Sequence, residues 1–343
     1  MATNVGSAHA DRYSLKTVSG AQAVASFADD VRRGLTANPK TLASKYFYDD
    51  LGSRLFDAIC FLPEYYLTRS EREILSGQAS EIVDRASVKG RPVRLVELGS
   101  GSAAKTRFLI DAIFSRQKEL HYVPVDIDPD SLNRSGDDLL HAYPGLSIDA
   151  FAGDYFSVLD SLATDGIPAK RDAQNIALFL GSNIGNFDPD VCRHFMRSIR
   201  GILRSGDALL VGADMKKGSD VLVPAYDDAL GVTAAFNRNL LVRINRELDG
   251  DFDISQFDHM ALYSETFSRV EMHLVSREPQ QVRIGALNLT VNFDWRESIH
   301  TESSYKFDLE TLSSLATETG FSLAESWFDG KRRFSFNLFW AAG

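Results

Sequence analysis

A glycine-rich turn in the middle of the chain is the first candidate for chemistry. It runs from Glu97 to Lys105 and reads Glu-Leu-Gly-Ser-Gly-Ser-Ala-Ala-Lys, between an apolar run and a stretch with helical spacing. Gly99 and Gly101 permit a sharp turn and let a ligand approach the backbone where a β-carbon would intrude. Amide groups at the start of the following helix then face that ligand. The Gly-x-Gly-x-x-Ala spacing also fits a nicotinamide dinucleotide site, so the turn alone leaves the ligand open.

Acidic residues at the ends of the next two predicted strands bear on the choice between a nicotinamide dinucleotide and S-adenosylmethionine as the ligand. Asp126 can accept both hydroxyls of a ribose, which both of these ligands contain. Asp154 adds a carboxylate, and Tyr155 adds an aromatic face for a purine ring. The charge of Glu97 disfavours a pyrophosphate, which S-adenosylmethionine (SAM) lacks. The pattern therefore favours SAM over NAD as the cofactor.

Alternating elements must position these residues. Buried strands are predicted at Val93–Leu98, His121–Ile127, Leu146–Phe151, Asn175–Leu180 and Asp207–Asp214. Helical stretches separate them, which predicts an α/β domain with a Rossmann-like parallel sheet and right-handed crossovers. Ser322–Phe328 and Arg333–Trp340 flank an Asp-Gly turn and predict a terminal antiparallel hairpin. Such a seven-stranded sheet is typical of class I SAM-dependent methyltransferases and not of dinucleotide dehydrogenases.

The alternation of predicted strands and helices ends at Asp214. A polar linker leads to a helix at Gly231–Leu248 and then to a loop-like stretch that carries Phe252 and Phe257. Two alternating runs, Arg269–Ser276 and Gln281–Phe293, predict antiparallel strands. We expect this insertion to pack with the N-terminal helical stretch and to form a second, substrate-binding lobe.

Composition excludes several classes of protein. The chain has 343 residues, 44% hydrophobic and 24% charged, which is not the balance of a disordered protein. No apolar run is long enough to span a bilayer. A net charge of −10 without a basic block argues against nucleic acid or an anionic membrane as partner. With only Cys60 and Cys192 and no secretory signal, we expect a cytoplasmic protein without a disulfide framework.

Metal and covalent serine chemistry are also disfavoured. The seven histidines show no ligand spacing, and the run Asp126, Asp128, Asp130 has Ser131 where a calcium loop needs glycine. Asn183 occupies the nucleophile position of a Gly-x-Ser-x-Gly elbow. No metal is therefore predicted.

Several motifs outside the turn carry a family resemblance. They are Phe47-Tyr48-Asp49, Leu62-Pro63-Glu64-Tyr65-Tyr66, Phe179-Leu180-Gly181-Ser182-Asn183-Ile184-Gly185-Asn186, Ala225-Tyr226-Asp227-Asp228, Thr233-Ala234-Ala235-Phe236-Asn237-Arg238-Asn239, Glu271-Met272 and Thr301-Glu302-Ser303-Ser304-Tyr305-Lys306-Phe307. Together they resemble the SAM-dependent L-histidine Nα-methyltransferases of ergothioneine biosynthesis. The resemblance covers the chain from about residue 42 to its C-terminus. It implies trimethylation of L-histidine to hercynine, the first step towards ergothioneine.

The resemblance also implies roles for individual residues, with the amino acid held between the SAM-binding core and the second lobe. SAM would contact Gly99, Lys105, Asp126, Asp154 and Tyr155. The amino and carboxylate ends of histidine would contact Tyr65, Gly181, Asn186 and Tyr226, with Tyr48 near the amine. Of these, Tyr48, Tyr65 and Asn186 would serve catalysis. The imidazole pocket would contain Met272, Glu302 and Ser304.

Spacing supports the imidazole pocket independently. Glu302 and Ser304 are two residues apart, so in an extended segment they point to the same side. A carboxylate and a hydroxyl together can satisfy both imidazole nitrogens. Asn183 and Leu67 depart from the residues that are common in the family, and Asn183 bears on amino-acid preference because it lies near Asn186.

The sequence predicts a mobile tail and two domains. Residues 1–20 form a mobile tail, 21–68 and 217–305 the substrate-binding lobe, and 69–216 and 306–343 the SAM-binding core. We expect a monomer that binds a small molecule.

Three alternatives to histidine methylation stay open from the sequence. They are an N-methyltransferase of another amino acid such as tryptophan, a non-catalytic SAM-binding regulator, and an NAD-dependent oxidoreductase.

Overall fold

The computed structural model describes residues 11–18, 27–168 and 173–343. Its helices are α1 (Phe27–Thr36), α2 (Asp50–Ile59), α3 (Leu67–Ala86), α4 (Thr106–Phe114), α5 (Pro129–Ala142), α6 (Tyr155–Asp165), α7 (Pro189–Ile202), α8 (Ser219–Leu222), α9 (Val232–Leu248) and α10 (Leu309–Glu318). Its strands are β1 (Tyr13–Thr17), β2 (Lys40–Thr41), β3 (Val93–Leu98), β4 (Leu120–Asp126), β5 (Leu146–Ala152), β6 (Gln174–Phe179), β7 (Ala208–Asp214), β8 (Phe257–Ser264), β9 (Arg269–Ser276), β10 (Gln280–Ile284), β11 (Leu289–Phe293), β12 (Ser298–Tyr305), β13 (Phe321–Phe328) and β14 (Phe334–Ala341).

The chain divides into two compact units. Unit 1 consists of the described residues within Met1–Gln22, Arg69–Met215 and Phe307–Gly343, and unit 2 of those within Ala23–Thr68 and Lys216–Lys306. Each unit is therefore built from separate stretches of sequence. The functional roles that we assign to such stretches, SAM binding and substrate binding, stay predictions.

Unit 1 contains a sheet in the order β1-β5-β4-β3-β6-β7-β14-β13. The first six strands in this order, β1, β5, β4, β3, β6 and β7, pair in parallel with their neighbours. By contrast, β14 is antiparallel to β7, and β13 is antiparallel to β14. Every residue of β3, β6 and β7 is buried, which explains why apolar residues predominate in these strands and do not simply alternate with polar ones. The predicted class I fold with a terminal hairpin is confirmed, with one strand more than expected.

The additional strand lies in the segment that the sequence predicts to be a mobile tail. That prediction is wrong for β1, which pairs along its whole length with β5. Tyr13 and Leu15 pack against the core of unit 1, and the Arg12 guanidinium donates to the carbonyls of Tyr143 and Leu146. Edge pairing thus fixes a short polar segment whose composition gives no sign of it. The rest of the predicted tail, 1–10 and 19–20, lies outside the described residues.

Unit 2 has a four-stranded sheet in the order β2-β12-β9-β8 and a separate β10–β11 hairpin. Helix α9 contacts α2, β8 and β9. Alternate residues of β9, including Val270, Met272 and Leu274, are buried in the core of this unit. One face of the sheet therefore looks towards the apolar interior.

Two sequence predictions for unit 2 are wrong. The loop-like stretch around Phe257 is in fact the start of β8, which pairs with β9. The single strand predicted at Gln281–Phe293 is a hairpin, because Gly285–Leu287 forms a 3₁₀ turn and Asn288 adopts a left-handed conformation with φ 45°. Asparagine tolerates that conformation better than most residues, so the chain reverses there.

Candidate active site

The glycine-rich turn joins β3 to α4. Gly99 and Gly101 have positive φ angles of 76° and 49°. The amide of Gly101 donates to Oδ2 of Asp126 at 2.9 Å, so the turn is tied to the end of β4. A β-carbon added at Gly101 would meet no atom within 4 Å, whereas one at Gly99 would lie 2.6 Å from the Tyr155 hydroxyl. Gly101 thus borders open space where a ligand has room to approach the backbone.

Glu97 supports the turn from inside the protein. Its carboxylate accepts hydrogen bonds from the Thr106 hydroxyl at 2.7 and 2.8 Å and from the Tyr122 hydroxyl. Burial raises the pKa of Glu97 to about 7, although these hydrogen bonds act in the opposite direction. Both oxygens are therefore engaged by the protein itself. Glu97 therefore does not weigh against a pyrophosphate, contrary to the expectation from the sequence.

Asp126 is oriented by two backbone amides. Oδ2 accepts from Gly101, and Oδ1 accepts from the amide of Asp128 at 3.1 Å. Asp128 in turn caps α5 by accepting from the amide of Asp130 at 2.9 Å. Asp126 therefore belongs to the turn, and its partly exposed carboxylate keeps lone pairs for a ligand.

Asp154 and Tyr155 begin α6. Asp154 caps the helix, because its oxygens accept from the amide and the hydroxyl of Ser157 at 3.1 and 2.5 Å. The Tyr155 ring packs against Phe179 and Phe195, with centroids 5.7 and 5.6 Å away. Burial raises the pKa of Tyr155, so it stays a neutral phenol whose hydroxyl lies beside Gly99. A contact of these residues with a purine or ribose stays a prediction.

A buried glutamate that the sequence analysis missed connects two predicted site residues. Glu71 on α3 is 1% exposed, forms an ion pair with the Lys105 ammonium, and accepts the amide of Gly181 at 2.7 Å. Gly181 has a φ of 74°. Its partners are far away in sequence, so no local pattern signals the role of Glu71. It brings the start of α4 and the end of β6 together.

The segment after Gly181 contains two asparagines. Asn183–Asn186 is a 3₁₀ helix, preceded by Ser182, whose hydroxyl accepts the amide of Asp214 at 2.9 Å. The Nδ2 atom of Asn183 lies 3.3 Å from the position of a β-carbon on Gly99, whereas Asn186 is exposed. The structure thus brings Asn183 to the glycine-rich turn. The role of Asn186 at the substrate stays a prediction.

In unit 2, three polar side chains form a closed triangle. The Tyr226 hydroxyl lies 2.8 Å from the Ser304 hydroxyl, and the Lys306 ammonium donates to both, at 2.8 and 2.9 Å. All three residues are buried, and Lys306 is 2% exposed. The sequence predicts Tyr226 and Ser304 as site residues but gives no sign of Lys306. Because buried lysines are rare, the burial of Lys306 needs an explanation.

The backbone of Tyr226 is anchored separately. His259 Nε2 donates to the Tyr226 carbonyl at 2.8 Å, because a carbonyl only accepts, and Nδ1 accepts from Asn237 at 2.9 Å. Burial lowers the pKa of His259, so the ring is neutral in this arrangement. The tyrosine is therefore held at both its carbonyl and its hydroxyl.

Glu302 and Met272 lie opposite each other on β12 and β9, just after a register shift between His300 and Glu302. Met272 is 2% exposed. Burial raises the pKa of Glu302 to about 7, and the charge of Lys306 acts in the opposite direction. Among the described residues, Glu302 accepts no hydrogen bond. Its carboxylate is therefore available to a ligand.

Tyr48 and Tyr65 belong to one aromatic group in unit 2. Both meet Phe56 edge to face, with ring centroids 5.5 and 6.1 Å apart. Tyr48 also approaches Phe236 at 5.7 Å and is 46% exposed. Their predicted contacts with the substrate amine stay predictions.

Two properties of the described part of the chain bear on other functions. It holds no group of three or more histidine, cysteine, aspartate or glutamate side chains arranged to bind a metal. None of its helices has the length and apolar character needed to cross a membrane.

Comparison with known proteins gives a consistent result. A family model described as histidine-specific methyltransferase, SAM-dependent, matches residues 27–341. The histidine N-alpha-methyltransferase of Mycolicibacterium smegmatis is 42% identical over 309 residues, which cover 90% of this chain and 93% of that protein. The protein of the same name from Mycobacterium tuberculosis is 41% identical with the same coverage. An L-tryptophan methyltransferase from Psilocybe serbica is 28% identical over 332 residues and covers 89% of this chain and 90% of its own length.

Proposed function

The chain belongs to the family of SAM-dependent, histidine-specific methyltransferases, and we propose that it trimethylates the α-amino nitrogen of L-histidine to give hercynine, the first step towards ergothioneine. The observation that carries this proposal is the identity of 41–42% to two histidine N-alpha-methyltransferases along nine-tenths of this chain. Membership of this family also removes the NAD-dependent oxidoreductase from consideration.

The residues of unit 1 fit SAM. Open space beside Gly101 leaves a ligand room at the turn, and Asp126 keeps lone pairs that can accept the ribose hydroxyls. Lys105 is held by Glu71, which also accepts the amide of Gly181 in the proposed histidine site. When bound, SAM supplies a methyl group on a positively charged sulfur.

The residues of unit 2 fit an imidazole. Glu302 offers a carboxylate without an internal partner, and Ser304 offers a hydroxyl on the same strand. A neutral imidazole has one N–H donor and one accepting nitrogen, which these two groups can satisfy. Leucine or phenylalanine would leave the Glu302 carboxylate unpaired, at a cost of about 1–3 kcal/mol.

The amine end needs orientation and the loss of a proton. An α-amino group has a pKa of about 7.7–8.0 in peptides, so a proton leaves before each attack on the methyl carbon. Gly181, Asn186, Tyr65 and Tyr226 are proposed to orient the amine and carboxylate, where positioning can contribute about 7–11 kcal/mol. The ring faces of Tyr65 and Tyr48 would stabilise the methylated cation by about 0.5–2 kcal/mol.

Tryptophan is the alternative substrate, since a tryptophan methyltransferase is among the relatives. Its indole has a single N–H donor and no accepting ring nitrogen. Glu302 could pair with that N–H, but the indole offers no ring nitrogen that accepts a hydrogen bond from the Ser304 hydroxyl. Glu302 and Met272 together therefore favour histidine.

Mass spectrometry of the purified protein with SAM and histidine tests the proposal. We expect a product heavier than histidine by three methyl groups. Glu302→Ala should weaken histidine binding and leave SAM binding intact, while Asp126→Ala should abolish SAM binding in calorimetry. An absence of methylated histidine would reject the proposal, and equal losses of both ligands in Glu302→Ala would make Glu302 structural. A cytoplasmic location and a monomeric state stay predictions.

A further inference from the structure

Lys306 is a charged residue whose burial needs an explanation. It lies just after β12 and is 2% exposed. Transfer of an ammonium out of water costs several kcal/mol unless hydrogen bonds and charge compensate it. Buried lysines without such compensation are correspondingly rare. The compensation for Lys306 therefore indicates what the residue does.

Its hydrogen bonds go to two hydroxyls of the predicted histidine pocket. The ammonium lies 2.8 Å from the Tyr226 oxygen and 2.9 Å from the Ser304 oxygen. It is also 4.7 Å from the centroid of the Tyr226 ring, which adds a cation–π contact. The ammonium is thus fixed against the tyrosine on two sides.

Lys306 also changes the hydrogen-bonding strength of the two hydroxyls. An ammonium only donates, so Lys306 occupies one lone pair on each oxygen. The two oxygens lie 2.8 Å apart and share this charged donor. Because a charged donor strengthens the groups to which it donates, each hydroxyl becomes a better donor in turn.

Lys306 also provides a positive charge near Glu302, which lies four positions earlier in the chain. The carboxylate has no hydrogen-bond donor among the described residues, and the charge of Lys306 favours its ionised form. Lys306 thereby acts on both polar groups of the proposed imidazole pocket.

We propose that Lys306 is a positioning residue for histidine. Its ammonium holds the Tyr226 and Ser304 hydroxyls at a fixed distance from each other. The group proposed to bind the amino-acid end of the substrate and the group proposed to bind its imidazole are thereby positioned together. The inference rests on the proposed function, because it takes histidine as the ligand. It adds a residue that does not itself need to touch the substrate.

The test is a double-mutant cycle in the full chain. Lys306→Met keeps the length of the side chain and removes the charge and all donors, and apolar replacement of a buried ion is often tolerated. We expect it to raise KM for histidine about tenfold, with a smaller effect on kcat and none on the calorimetric affinity for SAM. Ser304→Ala and Tyr226→Phe should each have less effect in the Lys306→Met background than in the wild type.

Lys40→Met is the matched control, because Lys40 also lies in unit 2 but pairs with Glu297 at the sheet edge. It should leave KM for histidine unchanged. An unchanged KM in Lys306→Met, a parallel loss of SAM affinity, or fully multiplicative effects in the double variants would overturn the role of Lys306. Failure of the wild type to methylate histidine would instead overturn the proposed function, so the two failures are distinguishable.

Discussion

Two glutamates, of which Glu97 is buried and Glu302 half-buried, show how the surroundings give one residue type two different environments. Burial raises the pKa of both Glu97 and Glu302 to about 7. Glu97 accepts hydrogen bonds from Thr106 and Tyr122, whereas Glu302 accepts none among the described residues. The first carboxylate is satisfied by the fold and supports the turn. The second has no such partner in the described part of the chain, and its proposed partner is the imidazole of the substrate.

A pH-dependent stability difference should follow at Glu302. The folded side chain keeps its proton up to about pH 7, whereas an ordinary glutamate releases it near 4.5. Between these values the folded state binds more protons, so its contribution to stability falls as pH rises from about 4.5 to about 7. Glu302→Gln cannot ionise and should melt at a higher temperature than the wild type at pH 8, with the difference shrinking towards pH 5.

Thermal melts of the protein without ligands measure this effect. Glu310→Gln serves as the control, because Glu310 is an exposed carboxylate in the first turn of α10. Its replacement should not raise the melting temperature at pH 8, because a negative charge in the first turn of a helix is favourable. A Glu302→Gln variant that melts below the wild type at pH 8 would mean that the native carboxylate has a partner that stabilises its charge.

The sequence indicates which residues could form an imidazole pocket, a role that stays a prediction, but it does not indicate the residues that support them. Glu302 and Ser304 share a side of β12, as their spacing of two requires. Lys306 and Glu71 could not be predicted, because their roles depend on burial and on partners distant in sequence. A lysine after a strand and a glutamate in a polar helix normally face solvent.

At the scale of elements, Glu71 connects α3 to Lys105 of the predicted SAM site and to Gly181 of the predicted histidine site. The variant Glu71→Gln keeps an acceptor for the Gly181 amide but loses the charge that pairs with Lys105. We expect about tenfold weaker SAM binding by calorimetry, because Lys105 is no longer held in place. Glu73→Gln on the same helix is the control, since Glu73 accepts the amide of Gly330 instead. If both variants bind SAM equally well, Glu71 does not position the site.

Asp154 offers a way to separate helix capping from cofactor binding. Asp154→Ala removes the cap of α6 and should cost about 0.5–2 kcal/mol of stability. Asp308→Ala removes an equivalent cap from α10, where the carboxylate accepts the Thr311 amide at 2.7 Å. Both should lower the melting temperature, but only Asp154→Ala should also weaken SAM binding. Equal SAM affinities in the two variants would reduce Asp154 to a capping residue.

Elements with strong local patterns could be predicted, and those fixed by long-range pairing could not. The turn after β3 and the β13–β14 hairpin carry glycine at the positions where the chain bends. By contrast, β1 becomes a strand because β5 offers it an edge, and β8 because β9 lies beside it. Pairing partners of this kind are invisible to periodicity. Gly285 and Asn288 are turn-forming residues between β10 and β11, but the alternating apolar residues on both sides favour one continuous strand.

At the scale of the whole molecule, each unit has its own apolar core. That of unit 1 includes Leu95, Ile176 and Leu210, and that of unit 2 includes Phe236, Leu240 and Leu274. Both chain segments of unit 2 contribute to its core, so the insertion after β7 folds together with residues near the N-terminus. The sequence pattern indicates the interruption. The substrate, however, follows from the family and from the chemistry of Glu302.

A competition experiment tests the central claim most directly. The purified protein is incubated with methyl-labelled SAM and an equimolar mixture of the twenty amino acids, and the labelled products are identified by mass spectrometry. We predict that the label accumulates in trimethylated histidine, because only histidine presents both a ring donor and a ring acceptor to the pocket. Label in tryptophan or another amino acid in preference to histidine, or in none of them, would contradict it.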